Sequence, residues 1–191
     1  AHTLMPVGNY SKEAIRQMAQ EANFPNADKP DSQDICFIPF GDYKEFLKER
    51  ITPTRGDIVD QNGKVLGGHP GIEFFTVGQR RGLDIQCSEP LYVLRLERKT
   101  NRVVIGPEAA LYQNKLRVSR INYLLGRPPS FPVKIGVKIR YKAEEAEAVL
   151  HPTPDGATVC FDRPQRAITP GQAAAFYQGD ILLGGGIIEV D

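Results

Sequence analysis

From Arg55 onward the chain reads as a succession of short apolar runs cut apart by turn residues, a pattern that a β-rich fold accommodates and a helical one does not. "GDIVDQNGKVLG" sets two such runs around Asn62-Gly63, a dipeptide that tolerates the positive φ angles of a tight hairpin. "IEFFTV", "LYVLRLE" and "RVVIG" follow as predicted strands, the last two joined by a turn near "RKTN". After "GPEAALYQ" come "KLRVSRI", "VKIGVKIRYK", "AEAVLH", "ATVCF", "AAAFY" and "DILLGGGIIEV". Strands this short and this evenly spaced make a small sandwich or a closed barrel. Gly184 to Gly186 precede "IIEV", a strand and not a helix, so the triplet marks a bulge or barrel corner and not a dinucleotide-binding loop.

Helical periodicity is confined to the first fifty residues. Ser11 followed by "KEAIRQMAQEAN" reads as a capped amphipathic helix with Ile15, Met18, Ala19 and Ala22 on one face. Pro25 and Pro30 break the pattern and predict a loop leading to Cys36. "FGDYKEFLKER" predicts a second helix, with Asp42 and Glu45 in capping-box spacing and Pro53 as the stop. The boundary between this mixed α+β part and an all-β part falls near Glu108. The opening "AHTLMPVGNY" has no initiator methionine and enters directly into loop and helix, so the chain reads as a fragment of a longer protein.

Composition narrows the functional classes. No apolar run approaches the roughly 18 residues that a spanning helix needs. Cys36, Cys87 and Cys160 lie far apart without a C-x-x-C pair, which points to free thiols in a reducing cytosol. With only His2, His69 and His151 and no ligand spacing, no metal is predicted. The net charge of +1 conceals an asymmetry: residues 112–142 carry eight basic side chains and no acidic one. Either these charges gather into an anion-binding face, or alternating strand positions scatter them over solvent.

Four stretches can carry chemistry. In "SQDICFIPF", Cys36 is either a small buried hydrophobe among Ile35, Phe37 and Ile38 or a reactive sulfur. "GGHPGIEFFTVGQRRGL" brackets a predicted strand with glycines and lacks the Gly-Lys-Ser/Thr of a P-loop. Its Gln79, Arg80 and Arg81 can hold a phosphate or a base, or simply end a solvated hairpin. Arg140 and Tyr141 in "KIRYK" form a basic-aromatic pair able to grip phosphate and stack on an unpaired base, although tyrosine in a barrel usually packs. "ITPGQAAAFYQGDILLGGGII" holds turn signals at Pro170-Gly171 and Gly179-Asp180.

"DSQDICFI", "GGHPGIEFFTVGQRRGL", "IRYK" and "ITPGQAAAFYQGDILLGGGII" stand in this order over most of residues 29–190, and the ordered set resembles the tRNA-specific 2-thiouridylases of the MnmA/TrmU type. The resemblance implies an α+β, mostly β chain. Residues 1–33 would be a linker helix left from an N-terminal PP-loop nucleotide-binding domain, 34–108 a central domain, and 109–191 a C-terminal antiparallel β-barrel that binds tRNA. It implies tRNA 2-thiolation, in which ATP adenylates the C2 oxygen of the wobble uridine and sulfur then replaces that oxygen. Cys36 matches the cysteine that carries the sulfur as a persulfide, received from an upstream sulfur-carrier protein. Arg140, Tyr141 and Gln172 match tRNA contacts to the anticodon arm, and His69, Gln79, Arg80 and Arg81 are expected in an active-site loop. ATP would be bound by the PP-loop domain, whose S-G-G-x-D-S motif and second catalytic cysteine are absent from this sequence, so the chain by itself is expected to be inactive. The implied setting is cytoplasmic, without membrane contact.

Two other readings compete. A non-catalytic RNA-binding barrel explains the acid-free stretch but leaves "DSQDICFI" without a purpose. A cysteine hydrolase pairing Cys36 with His69 lacks a nucleophile turn and a third member.

Overall fold

The computed structural model describes residues 4–30, 38, 43–141 and 143–189, which fall into two units, 1–51 and 52–191. In the first unit, α1 (Lys12–Glu21) begins where Ser11 predicts: the serine is extended, and its Oγ accepts from the Ala14 amide at 3.3 Å. Asn23 takes the left-handed conformation that closes a helix, at φ +54°, with its N–H on the Gln20 carbonyl. No residue of α1 is buried, and Leu4, Met5 and Phe24 around it are 89%, 75% and 60% exposed. α2 is shorter than predicted, Tyr43–Lys48, and Asp42 of the expected capping box lies outside the described residues.

The second unit opens with a four-stranded sheet of β1 (Gly56–Val59), β2 (Val65–His69), β3 (Tyr92–Glu97) and β4 (Arg102–Gly106), in the order β2-β1-β4-β3. The hairpin at Asn62-Gly63 forms, organised by the Asp60 carboxylate, which accepts from the Asn62 and Lys64 amides at 2.8 and 2.9 Å. β1 and β4 pair in parallel, and β4 has Val103, Val104 and Ile105 fully buried, which is why "VVI" is apolar without alternation.

"IEFFTV" is not a strand. Ile72–Phe74 form a 3-10 turn instead. A strand would send Phe74 and Phe75 to opposite faces, whereas the turn lets both sink into the interior at 7% exposure each.

The remaining strands, β5 (Tyr112–Tyr123), β6 (Val133–Lys138), β7 (Ala146–Thr153), β8 (Gly156–Arg166), β9 (Ala173–Gln178) and β10 (Ile181–Ile188), close into a barrel ordered β10-β5-β8-β7-β6-β9, with every neighbouring pair antiparallel. Inward residues alternate along each strand, and Phe176, Leu150, Val137, Val159 and Ile188 fill the centre at 2% exposure or less. Each such side chain contributes about 1.5–3 kcal/mol by leaving water.

The glycine triplet does mark a bulge. Gly185 pairs with Asn122 and Ile187 with Ser119, so Gly186 faces both Arg120 and Ile121. A side chain at Gly184 would collide with the Asn122 carbonyl, and one at Gly186 would meet the Ser119 oxygen at 2.5 Å. The bulge therefore requires bare backbone on β10.

Candidate nucleic-acid interface

Because the ring is antiparallel, the β6–β7 and β8–β9 connections emerge at the same end of the barrel, together with the start of β5. β6 stops at Lys138, and Ile139 turns its side chain into the core at 4% exposure. Arg140 and Tyr141 are thereby released from strand alternation into a turn closed by the Ala143 amide on the Arg140 carbonyl at 3.1 Å. Tyr141 is 96% exposed, against the usual packing role of a barrel tyrosine.

Arg140 crosses the mouth of the barrel and donates from Nη2 to the Arg166 carbonyl at 2.5 Å. One donor of its guanidinium is used there, and the fork has others to offer. Gln172, in the β8–β9 connection, is exposed, while its main chain is fixed: its carbonyl accepts from Ile188 at 2.9 Å, and its amide donates to Thr169 at 3.3 Å. Arg140, Tyr141 and Gln172 are thus brought to one end, as solvent-facing side chains on a braced backbone.

Arg166 connects this end to the sheet. Its Nε donates to Glu108 Oε1 at 3.0 Å, and its guanidinium carbon lies 5.4 Å from the centre of the Tyr92 ring. Ala167 follows at φ +53°, donating its amide to the Leu111 carbonyl at 2.9 Å, and packs with Tyr92 and Leu111 in a small core of its own. Against that corner rests Gly78, at φ +88°, where a Cβ would stand 3.0 Å from that of Ala167. Sequence reading missed Arg166 and Glu108. Their pairing spans 58 positions, and no local pattern announces it.

The Gly78 contact puts Gln79, Arg80 and Arg81 beside the barrel mouth. Gln79 is absorbed in building its own loop: Oε1 accepts from the Thr76 amide at 3.0 Å and Nε2 donates to the Arg81 carbonyl at 2.9 Å. Its main-chain carbonyl accepts from the Val93 amide at 2.9 Å, and the Gly78 amide donates back to the Val93 carbonyl at 2.8 Å. Arg80 and Arg81 are exposed.

His69 differs from them. It is 3% exposed, its ring meets Phe75 edge-on at 5.5 Å, and its Nε2 lies 3.2 Å from the Asn101 carbonyl. A carbonyl only accepts, so Nε2 is the donor, and Nδ1 has no partner among the described residues.

Cys36 lies outside the described residues. Cys87 is exposed and Cys160 half-buried, and both are free thiols. Among the described residues no group of three or more His, Cys, Asp or Glu is placed to hold a metal, and no helix is long and apolar enough to cross a membrane.

Three family models match in succession: the tRNA methyl transferase HUP domain over residues 1–40, the tRNA methyl transferase PRC-barrel domain over 44–107, and the aminomethyltransferase beta-barrel domain over 113–188. The tRNA-specific 2-thiouridylase MnmA of Gloeothece citriformis is 48% identical over 191 residues, which is 99% of this chain and 55% of the relative. Those of Acetivibrio thermocellus and Halothermothrix orenii are 46% and 43% identical, covering 98% and 99% of this chain and 53% and 54% of their own lengths. The chain belongs to the MnmA family of tRNA-specific 2-thiouridylases. It spans about half the length of these MnmA relatives.

Proposed function

We propose that this chain is the sulfur-carrying and tRNA-holding part of an MnmA-type enzyme that converts the wobble uridine of tRNA to 2-thiouridine. Identity over nearly the whole chain to 2-thiouridylases carries the reading. The family models' own descriptions speak of methyl transfer, but each of them matches less of the chain than these relatives do.

Residues 1–33 belong, in this reading, to the nucleotide-binding domain, 34–108 form the central domain, and 109–191 form the tRNA-binding barrel. The unburied apolar residues around α1 are consistent with docking against the remainder of that first domain. ATP bound there adenylates the uridine C2 oxygen and releases pyrophosphate. The terminal sulfur of a Cys36 persulfide, loaded by a sulfur-carrier protein, attacks C2, and AMP departs with the former oxygen. A second cysteine of the nucleotide-binding domain then attacks the Cys36 sulfur, freeing 2-thiouridine and leaving a disulfide for a dithiol reductant. The work takes place in the cytoplasm, and the isolated chain neither binds ATP nor modifies tRNA.

Arg140 and Tyr141 hold the anticodon arm while the target base leaves its stack. The 96% exposure of Tyr141 supports stacking on an unpaired base. Tyr141→Ala should therefore weaken tRNA binding by about 1–3 kcal/mol, while Tyr141→Phe retains it, as filter binding would measure. Arg140→Ala should lower affinity and flatten the salt dependence by about 0.7–0.9 in log–log slope, because one fewer counterion is released. An unchanged slope removes Arg140 from the phosphate contacts. Gln79, Arg80, Arg81 and His69 complete the assignment as residues of the active-site region, with His69 acting from beneath the surface.

A further inference from the structure

The basic residues that β5 and β6 contribute to the acid-free stretch do not form one face. β5 and β6 are three strands apart in either direction around the six-stranded ring, so Lys115, Arg117 and Arg120 stand on the wall opposite Lys134 and Lys138. The two walls differ in charge. On the β6 wall, Gly136 between the lysines pairs with Glu147, and the Glu145 carboxyl lies over that same glycine. On the β5 wall, Lys115 and Arg117 pair across to Cys160 and Thr158 of β8. The carboxylate of Glu189 on the other flank is taken by the Ser119 hydroxyl. Among the described residues, Lys115, Arg117 and Arg120, like Lys134 and Lys138, have no carboxylate within ion-pair distance, so what separates the walls is the pair of glutamates beside Gly136.

Arg120 is outside because of the bulge. Leu116 and Val118 point into the barrel, and the next inward residues are Ile121 and Tyr123, an interval of three where plain alternation gives two. Without the extra residue Arg120 would face the core. It holds φ +48°, a conformation that an arginine seldom adopts, and is exposed. At its lower end the row meets the barrel mouth: Tyr112, the first residue of β5, pairs with Arg166, whose carbonyl holds Arg140.

We infer that the outer face of β5 is a phosphate track, running about 25 Å from Arg140 and Tyr112 through Lys115 and Arg117 to Arg120, on which the sugar-phosphate backbone of the bound tRNA lies. The track rests on the tRNA-binding reading given above and extends it from the mouth of the barrel to one wall. The β6 wall, with its acids, is not part of it.

The test is equilibrium binding of an unmodified tRNA transcript to the 191-residue chain across a salt series. The triple variant Lys115→Ala, Arg117→Ala, Arg120→Ala is expected to bind roughly tenfold or more weakly and to lose about two to three from the log–log salt slope. Lys134→Ala with Lys138→Ala should change neither. Arg120→Gly guards against misfolding, since glycine accepts the same backbone angle, and it should lower the slope by just under one while the thermal unfolding curve is kept. An unchanged slope in the triple variant and in Arg120→Gly overturns the track and leaves tRNA binding standing. Equal losses on the two walls also overturn it. No binding by the unaltered chain overturns the tRNA-binding reading and the track together.

Discussion

In the complete enzyme, Cys36→Ser is expected to abolish 2-thiouridine formation while leaving tRNA affinity close to unchanged. A serine hydroxyl holds the place of the thiol but cannot carry a sulfane sulfur, so the loss is one of chemistry and not of packing. Nucleoside analysis of tRNA after incubation with ATP and the sulfur donor measures the first effect, and filter binding the second. Mass spectrometry of the unaltered protein after loading should find one added sulfur on Cys36. Cys87→Ser and Cys160→Ser retain activity in the same assay, since one thiol stands in solvent and the other on the barrel wall. Normal thiolation by the Cys36 variant would end the proposed role of this residue.

Phe176→Ala should have the largest effect on stability. Phe176 is fully buried in the middle of β9 and belongs to the core that all six barrel strands share. Removing its ring loses transfer free energy and opens a cavity that a closed ring is poorly able to collapse, at a cost of about 3–5 kcal/mol. Chemical denaturation followed by a spectroscopic signal of the barrel reads this directly. A loss below about 1 kcal/mol would mean that the core repacks around the gap.

The two effects differ in how visible their causes are in the amino-acid string. The barrel strands were legible because short alternating runs are cut by turn residues, and the Asn62-Gly63 hairpin because its turn chemistry is local, but in "ATVCF" the phase of alternation suggested Cys160 for the core where Val159 takes it. "IEFFTV" misled because β propensity and apolar character are the same for a strand and for a buried 3-10 turn, and only the requirement that both phenylalanines face inward separates them. At the candidate interface, Arg140 and Tyr141 were identifiable as a pair, but their release from alternation depends on where β6 stops. Arg166 and Glu108 come from distant parts of the chain and meet only after the barrel and sheet have formed. The division of the acid-free stretch between opposite walls was equally hidden, since strand order around a ring is a global property.

Closure of the ring has a consequence for recognition. In a closed circle of strands the main-chain donors and acceptors of the wall are largely paired with neighbouring strands, so a visitor to the barrel wall is read chiefly by side chains. The open sheet is different. It ends in two borders, β2 and β3, and on β3 the Val93 main chain is already bonded to Gly78 and Gln79, so amides and carbonyls as well as side chains shape what meets that edge.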